Sequence, residues 1–111
     1  MPVLKRVTKR KPDSTGTILR EDFIEPYGLT QGQLAKAMGV TRTFVNELVN
    51  DRRGITIDTA IMLSRVFKNS PQFWLNIYID NQLWEAINNP KKKAKYKKVI
   101  SIDNIPHKSA A

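Results

Sequence analysis

Gln31, Thr41, Arg42, Thr43, Asn46, Asn50, Arg52 and Arg53 are the residues of this chain whose types and spacing suit a definite chemistry. Guanidinium, amide and hydroxyl groups are the donors and acceptors that meet the base edges and phosphates of a DNA duplex. Each alone is an ordinary solvated side chain; their gathering around one tight turn is what points to a duplex. Reach divides them into two sets. Arg42, Thr43 and Asn46 fall on the outward face at the start of a helix and can enter a major groove. There Arg suits guanine edges, Asn suits adenine and Thr can contact a thymine methyl. Gln31 and Thr41, beside exposed helix-start amides, suit phosphates, as do Asn50, Arg52 and Arg53 in the following loop. Phe44 fits two places, packed inward or laid against the sugar backbone.

Other chemistries find little to work with. Glu21, Asp22 and Glu25 resemble paired carboxylates, yet near a helix start they read as a solvated face. The single histidine, His107, stands between Pro106 and Lys108 without the companions that a metal site needs. The five glycines lie scattered at turns and helix ends rather than in a phosphate-cradling loop, and no serine is paired with a base. With no cysteine there is no disulfide, no thiol nucleophile and no cysteine-based zinc site. The expectation is a protein that is not an enzyme and carries neither metal nor cofactor.

The elements that must position those side chains follow from caps and periodicity. From Ser14 to Asn89 the sequence reads as five helices joined by short turns, each opening on a hydroxyl residue. The first starts after Ser14 or Thr15, buries Ile18, Leu19 and Phe23 with Ile24 beside them, and stops at Pro26 and Gly28. The second runs from a Thr30 cap through Leu34, Ala35 and Met38 to Gly39, a residue free to take the left-handed turn. Thr41 caps the third, Arg42 to Val49, with Val45, Leu48 and Val49 as its buried stripe. Two short helices across a glycine turn make a helix-turn-helix, and Ala35 must be small because the pair crosses there. The fourth follows Thr56. The fifth opens at Ser70 and Pro71 and carries Phe73, Trp74, Leu75, Ile77, Tyr78, Ile79, Leu83, Trp84 and Ile87, more than one core-facing stripe requires. The surplus predicts a face for a dimer partner.

Length and charge frame these elements. A chain of 111 residues with 41% hydrophobic composition can bury one core and has no run long enough to span a bilayer. The net charge of +9 belongs to the ends: residues 1–13 carry +4 and residues 90–111 carry +6, while residues 14–89 carry −1. The predicted organisation is therefore a basic N-terminal arm (1–13), a helical domain (14–89) and a basic C-terminal tail (90–111), both ends read as loose, solvated segments. Within the tail, Val99 to Ile102 is β-prone and fits either a short edge strand, paired with its twin or a partner chain, or an ordered fragment of loose chain. The basic start has no apolar stretch behind it, so the expected location is the cytoplasm.

The stretch QGQLAKAMGVTRTFVNELVNDRRGIT resembles the helix-turn-helix of the phage-repressor-like family. With GTILREDFIEPYGLTQ, DTAIMLSRVFKNSPQFWLN and DNQLWEA, the likeness from Gly16 to Ala86 is to HigA-type antitoxins, formerly grouped as virulence-associated protein I. The resemblance implies an all-α, five-helix DNA-binding homodimer that binds double-stranded operator DNA, represses its own operon and neutralises a HigB-like ribonuclease toxin. It places Gln31, Thr41, Arg42, Thr43 and Asn46 at the family's DNA-reading positions, and gives no motif for toxin contact. Two other readings stand beside it. One is a free-standing regulator of the same fold without a toxin, and the other is an RNA- or ribosome-associated protein that binds through its basic ends.

Overall fold

A computed structural model describes residues 10–106 of the chain. Every regular element in that span is helical. Helix α1 begins as an α-helix, Thr15–Ile18, and continues without a break as a π-helix, Leu19–Ile24. Then come α2 (Gln31–Met38), α3 (Arg42–Val49), α4 (Ile57–Phe67), α5 (Pro71–Asn88) and α6 (Pro90–Lys97), with a 3-10 turn at Ile102–Asn104. No helix among the described residues is long and apolar enough to cross a membrane.

Each helix start is fixed by one side chain. Ser14, Thr30, Thr41, Thr56, Ser70 and Asn89 all accept from the backbone N–H three residues on, at 3.0 to 3.2 Å. These bonds satisfy donors that the helix itself cannot. At Thr30 the box is closed, because the Gln33 side chain accepts in return from the Thr30 N–H at 2.9 Å. The stop of α2 is the left-handed Gly39, φ 75°, after which Val40 N–H bonds back to the Ala35 carbonyl.

The buried core is drawn from α1 to α5. Leu19, Leu34, Val45, Leu48, Leu63 and Trp74 are essentially inaccessible, with Ile24, Ala35, Met38, Val49, Ile55 and Ala60 around them. The π-helical stretch explains how Leu19 and Ile24, five residues apart, both face inward, since the wider turn brings positions five apart close to one face. Phe23 meets Phe67 and Trp74 with ring centroids 4.8 Å away, which joins α1 to the α4–α5 corner. The Trp74 indole N–H donates to Asn69 Oδ1 at 2.9 Å, so this buried tryptophan has its polar edge satisfied.

One expectation for the tail is corrected, and the two fits left open for Val99 to Ile102 are narrowed within the chain. Residues 90–97 form a helix rather than loose chain. Asn89 caps it and Pro90 takes its first position, where a missing N–H costs nothing, and lysine and alanine are sound helix formers. The Val99 to Ile102 run forms no strand: its backbone leaves α6 and enters the 3-10 turn. A β-prone run of four has no ladder without a neighbouring strand, and none exists among the described residues.

Candidate nucleic-acid interface

The interface is built on the α2–α3 pair. Ala35 is buried at the crossing, and Val45, Leu48 and Val49 seat α3 on the core, so residues 42, 43 and 46 are turned outward. Arg42, Thr43 and Asn46 are all exposed. Together they occupy the first turns of α3, the part of such a helix that enters a major groove. Asn46 is held in place from behind: its Nδ2 donates to Gln31 Oε1 at 3.2 Å, which ties the start of α2 to the middle of α3. Asn50 in turn donates from Nδ2 to the Asn46 carbonyl at 2.9 Å and closes the end of α3.

Thr41 spends one oxygen lone pair on the Phe44 N–H at 3.1 Å, and its own hydroxyl proton can be donated outward. Phe44 packs half-buried against the core, which decides between its two readings. Its outer face is taken by Arg53, whose guanidinium carbon lies 4.1 Å from the ring centroid. The same guanidinium donates from Nε and Nη2 to Glu47 Oε1 at 3.0 and 2.7 Å. Arg53 is thus a brace between the loop and α3, while its neighbour Arg52 is exposed on the loop surface.

Several positioning residues escape a reading of residue types. Asp51 sits between Asn50 and the two arginines with φ 57°, a left-handed backbone in a non-glycine residue. Its carboxylate accepts from Gly16 N–H at 2.8 Å and from the Ser14 hydroxyl at 2.6 Å, which pins the loop onto the start of α1. Gly16 is required by that contact, because a Cβ there would come within 2.5 Å of the Val49 carbonyl oxygen. On the far side of the loop Gly54 lies against the ring of Tyr78 from α5. The Asp51 position was readable in part, since aspartate and asparagine are the residues that tolerate the left-handed turn. Its partners lie 35 and 37 residues away and left no local signal.

Residues 10–16 also join the body. Asn81, buried on α5, donates to the Asp13 carbonyl at 2.6 Å, and Lys11 pairs with Glu85. His107 lies outside the described residues. Among those residues no group of acidic or histidine side chains is arranged to hold a metal.

Comparison with known proteins places the fold. A helix-turn-helix family model matches residues 20–74. The chain is 41% identical over 97 residues to antitoxin HigA-1 of Vibrio cholerae, spanning 87% of this chain and 91% of that protein. It is 39% identical over 82 residues to an uncharacterized HTH-type transcriptional regulator of Haemophilus influenzae, spanning 74% and 77%. Among solved structures it is similar to the Pseudomonas aeruginosa antitoxin HigA with the higBA promoter, at a TM-score of 0.73 and 33% identity, covering 82% of this chain and 98% of that one. With its capped helix pair, its outward polar set and these relatives, the chain belongs to the helix-turn-helix family, in the branch of the HigA-type antitoxins.

Proposed function

We infer that the protein is a DNA-binding antitoxin that represses its own operon and neutralises a HigB-like ribonuclease toxin in the cytoplasm. The observation that carries the DNA half is the outward set Arg42, Thr43 and Asn46 on a helix whose opposite face is locked into the core. Those three read bases; Gln31, Thr41, Asn50 and Arg52 hold phosphates, and Arg53 acts first as the brace of the loop. The structure of the Pseudomonas aeruginosa HigA with its promoter supports the choice of duplex DNA, and the Vibrio cholerae relative supports the antitoxin role. Residues 14–89 form the DNA-binding domain, flanked by basic arms at 1–13 and 90–111. One recognition helix reads only a few base pairs, so the acting species is a homodimer on two half-sites about one helical turn apart.

The test is binding to the protein's own upstream DNA against a scrambled duplex at near-physiological salt, for the wild type and for the double substitution R42A/T43A. A preference of about a thousandfold for the upstream site, largely lost in the double variant, is the expected result. Equal and steeply salt-dependent binding to both duplexes would overturn it. The toxin half is tested separately, by deleting each arm and measuring neutralisation of the toxin encoded beside it. The relative in Haemophilus influenzae favours a second reading, a regulator without a toxin; absence of any adjacent ribonuclease gene would select it.

A further inference from the structure

The lysine helix α6 has no role in the site described above, yet its charge and its place are both unusual. Lys91, Lys92, Lys93, Lys95, Lys97 and Lys98 lie within eight consecutive positions with no acid among them, and every residue of α6 is exposed. At about 100° per residue these lysines point to all sides of the helix. Like charges also stand at helical spacing, at 91 and 95, at 93 and 97, and at 92 and 95, where they oppose the helix. A helix of eight residues without a buried side chain gains nothing from tertiary packing to offset that repulsion. Charge of this density suits a surface of many closely spaced negative groups.

Its position says which surface. Gln82 and Glu85 of α5 line a cleft of about 400 Å³ together with Arg52 and Arg53 of the loop. Tyr78 of α5 touches Gly54 of that same loop. The second half of α5 thus runs beside the phosphate-facing loop, and α6 begins five residues after Glu85.

We propose that α6 is a second, sequence-blind DNA contact that grips the phosphate backbone of the duplex beside the base pairs read by α3. This rests on the proposed DNA-binding function and extends its footprint. Phosphate contacts of this kind add affinity and salt sensitivity without adding discrimination.

The experiment uses the full chain as wild type, with all six lysines changed to glutamine, and with all six changed to arginine. Three probes are titrated between 50 and 200 mM salt: the upstream site trimmed to its half-sites, the same site with ten base pairs added on each flank, and a scrambled duplex of the longer length. The wild type should bind the flanked site about tenfold more tightly than the trimmed one, with a log–log salt slope steeper by about three. The glutamine variant should lose that gain, and should lose the same factor on the scrambled duplex, so that its preference for the upstream site is unchanged. The arginine variant should retain the gain, because charge and not lysine shape supplies it. Equal binding of trimmed and flanked sites by the wild type, or a glutamine variant that keeps the gain, would overturn the proposal. So would a glutamine variant that binds every duplex like the wild type and fails only to neutralise the toxin, which would assign α6 to a protein partner. Loss of upstream preference in the wild type would instead overturn the operator reading, while the scrambled duplex still reports whether α6 grips phosphate.

Discussion

Arg52 and Arg53 are adjacent, carry the same charge and stand in different surroundings. Arg53 is committed to the Phe44 ring and to Glu47. Removing it should weaken the fold, since an exposed cation–π contact and an exposed ion pair together contribute about 1 kcal/mol. Arg53→Ala is therefore expected to lower the melting temperature by about 5 °C, read by circular dichroism. Arg52→Ala should leave the melt unchanged and make the log–log salt slope of DNA binding shallower by about one, the loss of a single phosphate contact. Exchange of those two outcomes would reverse the assignment. The outward placing of Arg42, Thr43 and Asn46 was legible in the sequence, because the buried stripe Val45, Leu48 and Val49 leaves them the opposite face. That Arg53 faces back toward Phe44 and Glu47 was not, because six and nine positions of separation across a loop fix no mutual orientation until the loop itself is fixed.

The elements depend on contacts that are tight where α1, α3 and the loop meet. Gly16→Ala would drive a methyl group into the Val49 and Leu48 carbonyls, backbone atoms that cannot turn aside. A cost of about 3 kcal/mol is expected, measured by urea denaturation. The same change should relax the loop that carries Arg52 and so reduce DNA affinity before the protein unfolds. Thr41→Ala removes the cap of α3, and should cost about 1 kcal/mol while fraying the turn that presents Arg42 and Thr43. An unchanged melt for Thr41→Ala would mean that the cap contributes nothing to holding α3. Five of the six side-chain caps were legible as hydroxyl residues ahead of apolar periods. Asn89 carries no such signal, because the lysines beyond it suppress the apolar period by which a helix is normally recognised. The π-helical turn in α1 was hidden for a related reason: an ordinary 3.6-residue period already accounts for Leu19 and Phe23, and only Ile24 betrays the wider turn.

At the scale of the molecule, exposed apolar side chains recur on α4, on α5 and after α6, and those of α5 form a regular row. Ile79, Leu83 and Ile87 recur every fourth residue and are 51%, 40% and 36% exposed in the single chain, which places them on one uncovered stripe. A homodimer seated on that stripe predicts that the double substitution I79K/L83K yields a monomer with wild-type helicity. Sedimentation at micromolar concentration would check it, and a wild type that already sediments as a monomer would remove the stripe from the account. The expected dimer and the expected antitoxin role enter together, since a repressor of this size needs two recognition helices to discriminate a site. By itself the sequence determined the helical class, five of the six cap positions, the α2–α3 turn and the outward polar set, because those follow from spacing and conformational preference within a few residues. The tertiary structure alone decided that Asp51 ties the loop to Ser14 and Gly16, that Asn81 reaches Asp13 and that α5 runs beside the loop of Asp51 to Gly54. Such contacts join residues 24 to 68 positions apart, and no local rule fixes a distance that only the packed core can set.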